Sequence, residues 1–365
     1  MDNLKKIFWQ ILTFIACICL LILLTSAFSD RISPLSNSYI PYFGLFFPFI
    51  FVINVLFFGW WIICRKWIQV GITFAVFIIC SGAILHYFAI HAKTKYIPEN
   101  AIKVLTYNVM QFDHQKKHTK ENPNPIIQYI IDEDPDIICI QEFGSNTKNN
   151  QLLTVSVVVE ALKAAPYHHI EFCKTKTIGL AVFSKYPIVS VKAIPIESEF
   201  NGAFAAELDV NGKKLTLINL HLESNRITAD ERADYYNLTK DPDAHKLEAF
   251  THMMFERLTP AFKMRANQAA IIAEVIKDNP NPYIIVCGDF NDTPISYAVR
   301  TIRKNLKDAF ASSGSGMGIT FNQHRFLFRI DNIFHSKNMK SYNATVGTLR
   351  DSDHYPLWTY LEFLE

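Results

Sequence analysis

Residues 283–294 read Tyr-Ile-Ile-Val-Cys-Gly-Asp-Phe-Asn-Asp-Thr-Pro. The first five are apolar and include three β-branched residues, which is typical of a buried strand. The turn that follows places two carboxylates and an amide directly at the end of this strand. A single turn of this kind is usually structural, because Asp and Asn are common turn formers. Whether this turn has a functional role therefore depends on the polar residues elsewhere in the chain.

Other strand-like runs of the same region also end in amide, carboxylate or imidazole side chains. Each ending is weak by itself, but six endings of this kind together favour a functional role over isolated turns. The six endings are Thr106-Tyr107-Asn108, Ile140-Gln141-Glu142, Asn219-Leu220-His221-Leu222, Gly288-Asp289-Phe290-Asn291, Arg329-Ile330-Asp331 and Ser352-Asp353-His354.

The fold class follows from how the strands are connected. Runs 203–210 and 214–221 flank Asn211-Gly212, which predicts a hairpin with a type I′ turn. Helical patterns lie between other strands, so the body mixes antiparallel pairs with helices. This mixture predicts an α+β sandwich in which helices cover the faces of the sheets.

The residue types in the six endings indicate phosphoester chemistry. Hard oxygen ligands suit Mg²⁺, which binds one or two carboxylates together with substrate phosphate. Imidazole, amide and further carboxylate groups supply water activation and charge stabilisation for in-line displacement at phosphorus.

The six motifs, in this order, resemble those of the endonuclease/exonuclease/phosphatase superfamily, across residues 102–363. Residues 183–188, Phe-Ser-Lys-Tyr-Pro-Ile, also resemble a stretch of that family. The resemblance implies a four-layer α/β sandwich of two packed mixed sheets flanked by helices. It also implies cleavage of phosphoester bonds that depends on Mg²⁺ or Mn²⁺.

The resemblance further implies roles for single residues. Glu142 would be the principal metal ligand, with Asn108 beside it on metal or phosphate, and Asp353 would assist a metal.

Catalysis would fall to five other residues. Asp289 would position or deprotonate the attacking water, and Asn291 would orient the phosphate. His354 would contact the scissile phosphate or act as base, and Asp331 would hold its imidazole in one tautomer. His221 would bind phosphate or serve the leaving group. The alternative for Asp331 is a salt bridge with Arg329.

The first 97 residues have a different composition from the body. They contain seven Lys or Arg and two acidic residues, whereas the rest carries 29 basic and 32 acidic residues. Three runs, 7–28, 43–64 and 67–90, contain no Asp, Glu, Lys or Arg. Because about 20 apolar residues span a bilayer as a helix, they predict three transmembrane helices. We therefore expect a membrane anchor over 1–97 and a catalytic domain over 98–365.

Charge also bears on location and partners. Lys5 and Lys6 precede the first run, and Arg65 and Lys66 lie between the second and third. The positive-inside rule then predicts a cytoplasmic N-terminus in the inner (cytoplasmic) membrane and a body on the periplasmic or extracellular side. Lys93 and Lys95 argue mildly for the opposite orientation.

The composition excludes several classes of protein. It excludes a single soluble domain, a disordered tail and a nucleic-acid binder that acts by charge alone. The cysteines show neither a disulfide framework nor metal-type spacing. No protein partner is indicated.

Three functions remain in competition. The first is a membrane-anchored phosphodiesterase or nuclease. The second is a lipid-directed enzyme of sphingomyelinase-like or phosphoinositide-directed type. The third is a non-catalytic binding module on the same fold. The segment 223–262, about forty mostly polar residues after a strand, is interpreted as a binding loop or lid, or as surface decoration.

Overall fold

The computed structural model describes residues 2–144, 153–241, 243–323 and 326–364. The apolar front of the chain folds into helices that pack together as a bundle. These helices are α1 (Asp2–Ala27), α2 (Ile40–Leu45), α3 (Phe47–Ile63), α4 (Trp67–Ile79) and α5 (Ser81–Tyr87).

The expectation of three transmembrane helices is wrong. In the described part of the chain one helix, Asn3–Arg31, is long and apolar enough to span a membrane, or two spans exist if the bent pair α4–α5 counts as one. The run 43–64 is divided between α2 and α3, and Pro48 in the first turn of α3 favours a helix start there. The 17 residues of α3 extend about 26 Å, less than the hydrocarbon core. Helices α4 and α5 meet at 67°.

The remaining chain alternates strands and helices. Its first half contains β1 (Ala89–Ile90), β2 (Ile102–Asn108), α6 (Met110–Gln115), α7 (Pro125–Glu133), β3 (Ile137–Phe143), α8 (Val155–Ala161), β4 (Tyr167–Phe172), β5 (Gly179–Ser184), β6 (Ile188–Ala193), β7 (Gly202–Val210) and β8 (Lys213–His221). Its second half contains α9 (Ala229–Lys240), α10 (Ala244–Lys277), β9 (Tyr283–Asp289), α11 (Tyr297–Arg303), β10 (Lys307–Asp308), α12 (Ala309–Ser313), β11 (Ser315–Gly316), β12 (Phe321–Gln323), β13 (Phe326–Phe328), β14 (Asp331–His335), β15 (Met339–Val346) and β16 (Leu357–Phe363).

Two six-stranded mixed sheets form the centre of the body. Sheet A has the strand order β15-β16-β2-β3-β5-β4, and sheet B has the order β10-β14-β9-β8-β7-β6. Each sheet contains one parallel pair, β2 with β3 and β8 with β9. The predicted hairpin joins β7 to β8, with positive φ at Asn211 and Gly212 as a type I′ turn requires.

Apolar side chains hold four layers together. Val104 and Cys139 of sheet A pack against Leu217 and Cys287 of sheet B, and all four are fully buried. A second cluster lies between sheet A and α7 and α8, and a third lies between sheet B and α10 and α11. The prediction of two packed mixed sheets flanked by helices is confirmed.

The strand register gathers the polar endings at one edge. Asn108 lies opposite Gln141 across the parallel pair of sheet A. In sheet B, Asp289 lies between His221 on β8 and Asp331 on β14. The carboxyl ends of both parallel pairs therefore meet at the same end of the sandwich.

The segment 223–262 is largely helical in the described residues. It comprises α9 and the first half of α10, and position 242 lies outside the described residues. Helix α10 is capped by the Asp243 side chain, which accepts from the backbone N–H groups of His245 and Lys246. Its first half packs against the connector between α1 and α3, residues 28–46.

Candidate active site

Asp289 is the centre of the candidate site. Its side chain is 1% exposed. Oδ2 accepts a hydrogen bond from Nδ2 of Asn108 at 3.1 Å and lies 3.4 Å from Nε2 of His221 and 3.6 Å from Nε2 of His354. Oδ1 accepts from the backbone N–H of Asn291 at 2.8 Å. Side chains from three other polar endings therefore converge on this carboxylate.

Gly288 lets the chain approach closely enough for this convergence. It has a φ of 139°, in a region that side-chain-bearing residues rarely adopt. A Cβ atom at this position would overlap the backbone carbonyl of Leu220 on β8. The spacing of β8 and β9, and hence of His221 and Asp289, requires glycine here.

His354 is oriented by Asp331. Nδ1 of His354 lies 2.8 Å from Oδ2 of Asp331, and both side chains are buried. The Phe321 ring contacts the imidazole edge-on, with centroids 5.1 Å apart. These contacts leave Nε2 on the side of Asp289, which is the arrangement that a carboxylate–imidazole pair needs to present one ring nitrogen.

The alternative salt bridge between Asp331 and Arg329 is wrong. Arg329 instead forms a two-point ion pair with Asp308, at 3.0 and 3.1 Å, in the interior of the body. Its Nη2 also donates to the backbone carbonyl of His86 at 2.7 Å. Arg329 therefore joins the helix bundle to the body and leaves Asp331 to His354.

The charges of the central pair are coupled. Burial raises the pKa of Asp289 above its usual value, although His354 and His221 oppose this rise. Burial by itself would lower the pKa of His354, but the carboxylates of Asp331 and Asp289 overcome that effect and hold the pKa well above its usual value. The site therefore favours an imidazolium beside a carboxyl group that is a stronger base than an exposed aspartate.

Glu142 approaches this centre from sheet A. Its Oε1 accepts from Nδ2 of Asn108 at 3.2 Å, so one amide joins Glu142 to Asp289. The backbone of Glu142 has a φ of 52°, an uncommon conformation for this residue type and one found often at functional sites. Its side chain is only half-buried, which leaves it accessible to a ligand.

Asn291 and Asp353 make fewer contacts with the centre. Nδ2 of Asn291 donates to the backbone carbonyl of Leu222 at 3.0 Å, so part of its amide is engaged by the chain itself. Asp353 accepts a long bond of 3.5 Å from Ser352. Ser352 also donates to the backbone carbonyl of Asn108 at 2.8 Å. The phosphate role of Asn291 and the metal role of Asp353 stay predictions.

The donor groups fit a hard divalent cation. Within the described residues, one group of three acidic or imidazole side chains, Asp289, Asp331 and His354, has ligand atoms that all lie within 4.8 Å of one another. Oδ1 of Asp331 is buried with no hydrogen-bond partner among the described residues. Carboxylate oxygens of this kind suit Mg²⁺ or Mn²⁺. Glu142 lies outside the group of three, so its part as principal ligand also stays a prediction.

A buried amide network supports the site from between the sheets. Gln141 donates to Oδ1 of Asn219 at 2.7 Å, and Asn219 donates to the backbone carbonyls of Ile140 and Ala181. Thr106 completes the network by bonding Gln141. These three residues belong to the sequence motifs, although the sequence predicted no role for them. The structure shows that they connect the two sheets next to the site.

Arg265 on α10 was missed altogether. It is fully buried, and its Nε donates to Oδ2 of Asp292 at 3.0 Å. Its Nη1 donates to the carbonyl of Glu223 and to Oδ1 of Asn225. Arg265 thereby holds the loop after Asp289 against α10. The sequence offered no signal, because a polar residue on a long helix is usually solvated.

Two family models match the chain. Residues 105–354 match the model of the Endonuclease/Exonuclease/phosphatase family, and residues 6–87 match a family described as a domain of unknown function (DUF8431). No match was found among curated proteins.

Several solved structures are similar to this chain at low sequence identity. The human nocturnin catalytic domain is 18% identical with a TM-score of 0.50, covering 72% of this chain and 93% of that one. An endonuclease/exonuclease/phosphatase from Beutenbergia cavernae is 15% identical (TM-score 0.48, 72% of each chain). A mannosyl-6-phosphatase from Bacteroides thetaiotaomicron is 17% identical (TM-score 0.46, 72% of this chain and 100% of that one).

The family match spans more than half of the chain and includes every residue of the candidate site, from Asn108 to His354. The chain therefore belongs to the endonuclease/exonuclease/phosphatase family of phosphoester hydrolases.

Proposed function

We propose that this protein is a membrane-anchored, divalent-metal-dependent phosphodiesterase that cleaves its substrate by in-line attack of an activated water. The observation that carries the proposal is the convergence of His354, oriented by Asp331, and His221 on the single carboxylate of Asp289. A binding module would not require a buried carboxylate whose pKa is raised beside an imidazole whose pKa is also raised.

Asp289, His354 and His221 are proposed to have different roles in the reaction. Asp289 accepts a proton from the attacking water, since its raised pKa makes it a stronger base than an exposed aspartate. His354 places its charged Nε2 where negative charge develops on the phosphoryl oxygens. His221 lies on the other side of Asp289, where it binds phosphate or protonates the leaving oxygen.

Glu142, which accepts a hydrogen bond from Asn108, is the proposed position for Mg²⁺ or Mn²⁺, and Asp353 is proposed to assist the ion. When bound there, the ion supplies positive charge that stabilises the phosphate during attack. Asn291 is proposed to orient the same phosphate from its position next to Asp289.

The anchor is proposed to be the bundle within residues 1–97, with α1 crossing the membrane and the shorter helices α3, α4 and α5 packed alongside it. Its two ends differ in charge. Nζ of Lys66 lies 4.5 Å from the centre of the Trp9 ring, which brings the basic turn at 65–66 beside the basic start of α1. The contact of His86 with Arg329 holds the body at the opposite end. The positive-inside rule then favours an exoplasmic catalytic domain over 98–365.

The proposal is tested with the full-length protein in detergent. Bis-p-nitrophenyl phosphate should be hydrolysed in the presence of Mg²⁺ or Mn²⁺ and not in excess EDTA. Asp289→Asn, which keeps shape and removes the base, should abolish turnover. Asp132→Asn, the same change at an exposed position on α7, should leave turnover unchanged. Absence of turnover with either metal would refute the proposal.

A further inference from the structure

The loop that carries Asp289 continues directly into the helix bundle. Ile295 is 1% exposed and belongs to a buried cluster with Leu23, Phe47 and Tyr87 of the bundle. Ile295 follows Asn291 of the site by only four positions. Because an extended chain advances at most about 3.6 Å per residue, the site lies within about 15 Å of the bundle.

A second contact joins the bundle to the other side of the site. Oη of Tyr42 in the connector lies 2.8 Å from Oγ1 of Thr259 on α10. The Tyr42 ring also contacts Phe255 and Phe262, with centroids 4.6 and 5.4 Å apart. The helix that contacts the connector therefore also binds the catalytic loop, through Arg265, six residues after Thr259.

Polar contacts complete the junction. Besides the bond from Arg329 to the carbonyl of His86, Arg300 on α11 lies 3.6 Å from the carboxylate of Asp30, directly after α1. Arg329 precedes Asp331 by two residues, so this contact also adjoins the site. The body is thus docked on the bundle through several separate contacts.

The first half of α10 extends beyond the catalytic end of the sandwich. Residues 244–259 precede the turn that holds Arg265, and this stretch is about 24 Å long. Leu247 and Phe255 on it are 55% and 38% exposed, and Tyr39 of the connector is 68% exposed. Apolar side chains on a charged helix beside a membrane anchor are typical of a helix that lies in the bilayer interface.

We infer that the substrate is a phosphodiester carried by a lipid of the bilayer in which the protein is anchored. This inference rests on the proposed function and names its substrate class. A bilayer's headgroup layers add roughly 10–15 Å in total to its hydrocarbon core, so a headgroup phosphate at the bundle's edge lies close to the catalytic loop. The body has 32 acidic and 29 basic residues, a balance that neither favours nor excludes nucleic acid, so a nucleotide ester is the competing substrate in the test.

The reaction is a simple hydrolysis. The oxygen of water bonds to phosphorus, one ester P–O bond breaks, and the departing alcohol takes one proton of the water. Water is the only co-reactant. The product that carries the acyl chains stays in the bilayer, and which ester bond is cleaved decides whether that product keeps the phosphate.

The test compares three phosphodiesters that release the same p-nitrophenolate. They are ethyl p-nitrophenyl phosphate in solution, thymidine 5′-(p-nitrophenyl phosphate) in solution, and phosphatidyl-p-nitrophenol in phosphatidylcholine vesicles that also hold the full-length protein. We expect kcat/KM for the lipid, at equal bulk concentration, to exceed both others by at least about 10-fold, because anchoring raises the effective substrate concentration. The lipid should lose this advantage when it resides in separate, protein-free vesicles.

The outcomes distinguish failure of the lipid inference from failure of the proposed phosphodiesterase activity. Metal-dependent release from the ethyl ester with no preference for the lipid would overturn the inference and keep the phosphodiesterase. A preference for the thymidine ester would overturn it in favour of nucleic acid. Absence of release from all three would refute the proposed function itself.

A variant tests the surface that the inference uses. Leu247→Asp should lower the rate on the vesicle lipid several-fold and leave the rate on the ethyl ester unchanged. Val189→Asp, the same change at a 63% exposed position on the edge strand β6, should alter neither rate. Equal lipid rates for the wild type and Leu247→Asp would contradict a membrane-facing α10.

Discussion

Nδ1 of His354 and Oδ2 of Asp331 lie 2.8 Å apart in the interior, although the two residues are 23 positions apart in the chain. Asp331 begins β14 and pairs directly with Asp289 on β9, so one carboxylate orients the imidazole and the neighbouring carboxylate faces its other nitrogen. The three side chains therefore act as a unit.

A double-mutant cycle tests this unit. His354→Ala should lower kcat by about 10²–10³-fold, because the group that stabilises charge on the phosphoryl oxygens is gone. Asp331→Asn should lower it less, by leaving the imidazole poorly oriented. The double variant should be little worse than His354→Ala alone. Strictly multiplicative losses would show that the two residues act independently.

The pH dependence of the rate should reveal the charge on His354. Its pKa is held well above the usual value by Asp331 and Asp289 against the opposite effect of burial. If the imidazolium is the active form, kcat/KM falls as pH rises through this raised pKa. Asp331→Asn removes one of the two carboxylates, lowers the pKa and should move the falling limb to lower pH. A limb that does not move would assign it to another group.

The metal role of Glu142 can be separated from a structural one. Glu142→Gln is nearly isosteric but removes the charge that a hard cation needs. We expect activity to be lost at limiting Mg²⁺ while the circular dichroism spectrum and the unfolding midpoint stay unchanged. Glu171→Gln, at a partly exposed position on β4, is the matched control. A wild-type rate for Glu142→Gln at limiting Mg²⁺ would exclude the metal role.

Arg265 should matter for stability as well as for activity. Arg265→Met leaves the buried carboxylate of Asp292 without its partner, a change that costs about 3–5 kcal/mol of unfolding free energy. Asp292→Asn in the same chain removes the unpaired charge and should restore part of this loss. Urea unfolding of the single and double variants measures both effects. Additive losses would show that the ion pair is not what holds the loop.

The orientation of the anchor is open to a labelling experiment. If the basic end of the bundle is cytoplasmic, an external protease or an impermeant amine reagent should reach exposed body residues such as Lys174 in spheroplasts. Detergent-permeabilised spheroplasts serve as the control for full access. Protection of Lys174 together with labelling of Lys5 would reverse the proposed orientation.

The sequence by itself determined the layout of the body. Short β-branched runs predicted the strands, Asn211-Gly212 predicted the hairpin turn, and six ordered polar endings predicted which side chains meet. These features depend on local backbone preference and on residue spacing, so they can be read along the chain. The residue types and the family resemblance assigned Asn108, His221 and Asp289 to one site, and they lie together where the carboxyl ends of the two parallel pairs meet.

Contacts between residues that are distant in the chain became evident only in the folded protein. The apolar run 43–64 predicted a transmembrane helix. Packing within the bundle sets where its helices begin and end, and α3 is too short to span the hydrocarbon core. Arg329 had a charged neighbour at Asp331 in sequence, yet its partner is Asp308 because the fold brings that carboxylate to it in the interior. The sequence indicated a solvated residue on a long helix at Arg265, but the loop after Asp289 buries it. Local periodicity carries no information on such contacts, because their free energy comes from groups that meet only after the chain has folded.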